Sequence, residues 1–302
     1  MRKTLPYLAL VVGVLVLSLS TLFVRWAEAP GMVTSFYRMV VATLAVAPFF
    51  WRRGARGARA ATGPVVGGRL YVPALVAGVL SAFDHATLSS AVQWTAVANA
   101  TLLNNLAPVW VALFAVVVWR QRLGGRFWLG LLLACVGAAV VLGNGELRPG
   151  RLGWVGAANS GLYGDALSLL SGLFYAAYLM AGERARRSLD TLHYVWPMTA
   201  TAAVALLVGC LALGYPLAGY STTTWALFVG AGLISQVVGY FAVSYALGHL
   251  SAAVVGATLI AQPVVTALLA IPLAGEGLGV GQVLGGVGVL TGIGLVVYKK
   301  ES

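Results

Sequence analysis

Apolar residues run along this chain in ten stretches, near 5–24, 31–50, 70–93, 96–119, 126–143, 163–182, 191–213, 223–247, 251–274 and 280–298. A helix needs about 20 mostly apolar residues, at about 1.5 Å each, to cross roughly 30 Å of hydrocarbon. The pattern therefore predicts an all-α polytopic membrane protein of ten transmembrane helices. No soluble domain fits between the spans. The longest connection, residues 51–69, is rich in glycine, alanine and arginine and reads as a solvated loop against anionic headgroups. Ten crossings bring both termini back to one face.

Charge orients the ladder. Of nineteen Lys and Arg residues, fifteen fall on the face that holds the termini, three on the other, and one, Arg38, inside a span. Basic residues concentrate on the cytoplasmic side of short-looped membrane proteins, so both termini are expected there. The same bias accounts for the formal charge of +11 without a polyanionic partner, and no helix face gathers the bases with aromatics as a nucleic-acid surface would. With 60% hydrophobic and 9% charged residues, nearly all of the chain belongs in the lipid bilayer. The first span resembles a signal peptide, with Ala27-Glu28-Ala29 after it, but it is too long for a signal core and a second span follows at once. Cys135 and Cys210 lie inside spans and are read as packing residues.

The two halves repeat. An offset of 155 residues lays Pro108 on Pro263, Val109 on Val264, Ala112 on Ala267, Gly124 on Gly279, Gly130 on Gly285 and Gly137 on Gly292. The unit holds five helices, which divides the chain at residues 1–150 and 151–302. An odd number of crossings makes the second copy enter from the opposite side, so the expectation is two inverted five-helix repeats, with a transport site near the midplane between them.

Polar residues inside the spans carry the candidate chemistry. Arg38 and Asp84 fall roughly 10–14 Å below the outer face by residue count. Buried charges mark either a compensating pair or a pathway. Two readings stand: an ion pair that locks two helices or gates the path, or Arg38 reading a substrate carboxylate and Asp84 taking up a proton or an amine. His85 adjoins Asp84, and near pH 7 it could donate, accept or titrate. At helical spacing, Thr101, Asn105 and Pro108 share a face of the fourth span, and Thr258, Gln262 and Thr266 one of the ninth. Gln236, Tyr240 and Ser244 share a face of the eighth, and Ser168, Ser171, Tyr175 and Tyr178 one of the sixth. Each stripe alone reads as interhelical hydrogen-bond glue. Together with His85 they point to one polar cavity, bordered by carbonyls that Pro108 and Pro263 leave free. The predicted substrate-binding set is His85, Asn105, Tyr175, Tyr178, Gln236, Tyr240, Ser244 and Gln262. Gly281, Gly285, Gly288 and Gly292 form a small-residue stripe on the tenth span, for scaffold packing or a homodimer contact.

The second half reads Tyr245-Ala246-Leu247, Leu250-Ser251-Ala252-Ala253, Gln262-Pro263-Val264-Val265-Thr266-Ala267-Leu268, Glu276, then Gly285 and Gly292. This resembles the last two helices of EamA-type members of the drug/metabolite transporter superfamily, and within it the YddG amino-acid exporters. One departure is that Glu276 has Gln121 as its first-half equivalent. The resemblance implies a bacterial inner-membrane protein that exports amino acids, aromatic and other neutral types, by alternating access. It implies no cofactor. No metal-ligand spacing and no phosphate-binding glycine loop appear, so a gradient rather than ATP hydrolysis is the expected driving force. Export of another small metabolite or drug is the alternative. A membrane-embedded enzyme is the rival class, but Tyr163-Gly164-Asp165 is not the GxGD of the aspartyl intramembrane proteases, so no catalytic residue is assigned.

Overall fold

The computed structural model describes residues 4–53, 68–95, 97–118, 120–146, 160–274 and 279–297. Glu276, Trp154 and most of the 51–69 loop lie outside them. The protein is an all-α polytopic membrane protein. Its first two spans are α1 (Leu5–Trp26) and α2 (Gly31–Arg53), and the third is a short 3-10 turn, Gly68–Tyr71, leading into α3 (Val72–Ala91). The fourth is split into α4 (Val97–Asn104) and α5 (Ala107–Val117), and the fifth is α6 (Gly125–Glu146). Next come α7 (Ser160–Arg186) and α8 (Thr191–Ala212). The eighth span joins α9 (Thr222–Ala231), a π segment (Gly232–Gly239) and α10 (Tyr240–Leu247). The ninth is α11 (Ala252–Leu259) with α12 (Gln262–Ala274), and the tenth is α13 (Val280–Val297). Nine described spans are long and apolar enough to cross a membrane, and α1 carries an apolar stretch at Leu5–Leu19.

Both breaks have the same cause. Pro108 and Pro263 have no N–H to give the carbonyl four residues back, so the helix ahead of each closes in a tighter turn. Leu106 N–H bonds to the Leu103 carbonyl at 3.2 Å and Ala261 N–H to that of Thr258 at 3.0 Å, each three residues back. A new helix then starts with proline at its first turn, where the missing donor does no harm.

Apolar and polar positions are inverted relative to a water-soluble protein. Val280 and Leu284 are 78% and 66% exposed, while Arg38, Asp84, Ser171, Gln236 and Ser244 are buried. That is the distribution expected of a chain whose solvent is lipid.

The helices pack as two compact units that interleave the sequence halves. One comprises the chain to Ser89 with Ala177–Ala252, and the other Ser90–Ala176 with the chain from Ala253. In the second unit α6 and α13 lie antiparallel. A methyl group on Gly130 would stand 2.6 Å from the Gly292 carbonyl oxygen, and one on Gly137 2.5 Å from that of Gly285. Since Gly130 is equivalent to Gly285 and Gly137 to Gly292, the contacts are reciprocal, as around a two-fold axis. That axis passes between Leu133 and its equivalent Gly288, which approach each other. The glycine stripe of α13 is thereby occupied within the chain, by α6.

In the first unit the second helices of the repeats, α2 and α8, pair the same way. Phe50 stacks on Trp196 at 4.3 Å, Thr43 meets Thr199 at 3.1 Å, and Met32 reaches Gly209. Rising numbers on α2 meet falling numbers on α8, so this pair is antiparallel too.

Candidate functional site

Arg38 sits about a third of the way along α2, on a helix that buries Val33, Met39, Ala42 and Val46. The π segment of the eighth span comes close to it because Gly232 has no side chain: a methyl there would strike Val41 at 2.6 Å and the Arg38 carbonyl at 3.2 Å. One wide turn later comes Gln236, fully buried. With its amide oxygen turned to α2, Gln236 accepts from Arg38 Nε at 3.2 Å and from Nη2 at 2.7 Å. A buried guanidinium is tolerated only with such charge-assisted hydrogen bonds. One-turn π segments inside α-helices recur at functional sites, where the extra residue re-aims a side chain.

Three more helices complete the cluster. Asp84 and His85 come from α3, Tyr240 from α10 and Tyr178 from α7. His85 Nδ1 lies 3.7 Å from Asp84 Oδ2, and its Nε2 lies 3.5 Å from the Tyr240 hydroxyl. The Tyr178 and Tyr240 rings are tilted on each other at 6.1 Å between centroids. Ser81 and Gln236 are within hydrogen-bonding reach of the Tyr240 hydroxyl, and the charges of Arg38 and Asp84 act on it. Among the described residues, Arg38 and Asp84 are the deeply buried Arg and Asp, one positive and one negative.

His85 and Tyr240 are themselves 155 residues apart, the offset at which the two halves of the sequence match, and their side chains approach at 3.5 Å. The chemistry at this contact is unequal: Asp84-His85 in one repeat stands opposite Gly239-Tyr240 in the other.

Of the residues singled out by sequence, Arg38, Asp84, His85, Tyr178, Gln236 and Tyr240 gather here, all in the first unit. Ser244 belongs to the same unit and helix, one turn beyond Tyr240. Its carbonyl accepts from Arg186 Nε at 2.8 Å, and its hydroxyl is buried with no hydrogen-bond partner among the described residues. Asn105, Tyr175 and Gln262 belong to the second unit. All three are partly exposed: Asn105 lies in the break between α4 and α5, Gln262 opens α12, and Tyr175 is in the middle of α7. One stripe member joins two helices: Ser171 of α7 accepts from Asn104 of α4 at 2.8 Å. Ser168 and Thr258 instead donate back to carbonyls of their own helices, Gly164 and Val254, each at 2.9 Å.

Sequence reading missed the residues that hold the helix ends. Asp190 caps α8, accepting from the His193 backbone N–H at 2.8 Å, and its carboxylate lies 2.9 Å from His193 Nδ1. An aspartate just before an apolar run is the usual sign of such a cap. At the end of α7, Glu183 accepts the Ala252 N–H at the start of α11 at 2.8 Å, while Arg186 bonds the Ser244 and Leu189 carbonyls. Each charge thus meets the helix end of opposite polarity. The start of α7 holds the equivalent turn of the first repeat: Asp165 accepts from Thr95 at 2.7 Å and Tyr163 packs edge-on to Trp94. Glu183 and Arg187, four apart on α7, gave the only sequence signal for this arrangement.

Two stretches, residues 4–143 and 162–298, match the family model for EamA-like transporters. An uncharacterized transporter of Archaeoglobus fulgidus is 25% identical over 300 residues, 97% of this chain and 96% of that protein. A second from the same organism is 24% identical over 272 residues, 89% and 88% of the two chains. The uncharacterized transporter YyaM of Bacillus subtilis is 23% identical over 235 residues, 76% and 75% of the two. A solved crystal structure superposes with a TM-score of 0.79 over 98% of each chain at 19% identity, a likeness of fold.

Proposed function

The chain belongs to the EamA-like transporter family, and from that premise we propose that it exports amino acids, aromatic and other neutral types, from the bacterial cytoplasm across the inner membrane. The observation that carries this reading is that one basic residue, Arg38, and one acidic residue, Asp84, are both buried in the same unit. A substrate of net charge would leave an uncompensated ion inside the protein, at a cost of several kcal/mol. A zwitterion does not. Its carboxylate suits Arg38 and its ammonium suits Asp84, while Tyr178 and Tyr240 offer ring faces to a side chain.

The inverted repeats supply the means of alternating access, two equivalent halves that exchange roles across the membrane. The family match and the relatives named as transporters favour transport over catalysis. With Asp84 and His85 the deep titratable groups of the cluster, we assign facilitated efflux without obligatory proton coupling. Flux of radiolabelled L-phenylalanine from proteoliposomes, with and without an imposed pH gradient, tests the reading. Saturable flux that is the same in both conditions is expected. Absence of flux for every neutral amino acid would sink it.

A further inference from the structure

We infer that Gln236 is a stand-in for the substrate's carboxylate: it holds the Arg38 guanidinium in the unloaded protein, and the incoming carboxylate displaces it. The inference rests on the amino-acid reading above and assigns a role that the reading alone does not.

The first ground is the choice of partner. A fully buried guanidinium is best neutralised by an acid, yet the group bonded to Nε and Nη2 is a neutral amide. One amide oxygen accepts from both nitrogens, the edge of the guanidinium that a carboxylate would engage with two oxygens. A carboxylate adds ion-pair attraction to two charge-assisted hydrogen bonds on that edge, a gain over the amide that offsets its loss of hydration. An acid built into the chain would close the site for good. An amide keeps Arg38 aimed and remains replaceable.

The second ground is the backbone under Gln236. Residues Gly232–Gly239 form a π turn bounded by two close approaches, Gly232 against Val41 of α2 and Gly239 against Leu17 of α1. A π turn holds one residue more than an α turn, so Gln236 can leave Arg38 by a local change of winding while both glycine contacts stay in place. The third ground is access. The His85 side chain, beside Asp84 and Tyr240, keeps 18% of its surface exposed against 9% for Asp84, so the cluster is covered least on the His85 side.

Binding to the purified full-length protein in lipid nanodiscs decides the matter, using L-phenylalanine and L-phenylalaninamide, which lacks the carboxylate, with thermal stabilisation and intrinsic tryptophan fluorescence as readouts. The unmodified protein is expected to bind the acid at least tenfold more tightly than the amide. In Gln236→Glu a permanent ion pair should raise the melting temperature of the unloaded protein and weaken phenylalanine binding at least tenfold. Gln236→Ala removes the competitor: the unloaded protein should melt lower, yet bind phenylalanine as tightly as the parent or more so. A direct substrate ligand or a purely structural glutamine predicts weaker binding in Gln236→Ala, and that result overturns the inference. So does undiminished binding in Gln236→Glu, or equal binding of acid and amide by the parent. If the parent transports no amino acid at all, the amino-acid reading fails and this inference falls with it. Flux by the parent with contrary variants overturns this inference alone.

Discussion

The contact between α6 and α13 and the contact between α3 and α10 each join residues that lie 155 positions apart in the sequence or nearly so, and what meets at the two contacts differs. At α6 and α13 the sequence is symmetric: glycine meets glycine twice, and each backbone comes within 2.5–2.6 Å of where the other's side chain would start. At α3 and α10 only the positions are symmetric. His85 meets Tyr240, and the acid beside one of them has glycine as its counterpart. A duplicated fold can keep matched residues where its two copies need only pack. Where a substrate must be told apart by its two ends, matched residues would present the same chemistry twice, and the copies have diverged.

The packing contact should be the less tolerant. In Gly137→Leu the added atoms point at the Gly285 carbonyl and the Val289 N–H at 2.5 and 2.7 Å, both backbone. Backbone cannot give way as a side chain can, so the loss should reach or exceed about 3 kcal/mol, the upper end of overpacking. The yield of monodisperse protein by fluorescence-detected size exclusion should collapse. Gly294→Ala, on the same helix but with nothing within 4 Å, should leave it unchanged. Equal tolerance at both positions would refute the tight α6–α13 seam.

Next in size is the charge pair. If the two buried charges compensate each other across the cluster without direct contact, removing Arg38 or Asp84 alone strands the other in the membrane interior, at a cost of up to about 3–5 kcal/mol, the value for a broken buried pair. Arg38→Leu and Asp84→Leu should each lower thermal stability, and the double variant should recover part of the loss. Additive losses in the double variant would show that the two charges are not coupled.

How far the sequence reveals this architecture differs between the same two regions. Span positions and the 155-residue offset are legible because proline and glycine act through the backbone and leave fixed marks. Pro108 and Pro263 break their helices as the missing donor requires, and Gly130, Gly137, Gly285 and Gly292 mark a close seam. The polar cluster is legible in its membership but not in its contacts. Depth counted along a helix places Arg38 level with Asp84, yet it carries no information on the angle around the axis. It could not reveal that Gln236 bonds Arg38. The π segment that aims Gln236 leaves no trace in hydropathy, since one inserted residue among Leu233, Ile234, Val237 and Val238 is as apolar as its neighbours. Periodicity likewise does not single out Asn104, the last residue of α4, as the one that reaches Ser171. The supports at Asp190 and Glu183 lie at helix ends, where short-range capping, not periodicity, decides the structure.

The smallest and sharpest test exchanges the two residues at the asymmetric contact. If His85 and Tyr240 occupy equivalent places across a local two-fold axis, the double variant His85→Tyr with Tyr240→His puts the same two groups back in contact from opposite sides. Each single change creates a like pair instead, Tyr–Tyr or His–His, and loses the hydroxyl-to-imidazole contact, a hydrogen bond worth about 1 kcal/mol. The double variant should therefore melt within a degree or two of the parent, while the single variants melt lower. Transport should not follow stability. The exchange moves the imidazole away from Asp84, on the asymmetric side of the contact, and sets a phenol there, so the flux of a zwitterion should fall several-fold although the fold is intact. Recovery of stability with loss of flux would show that symmetry governs packing here and asymmetry governs recognition. Failure of the double variant to recover stability would mean that His85 and Tyr240 are not related by the repeat axis, and the comparison between the two contacts would lose its basis.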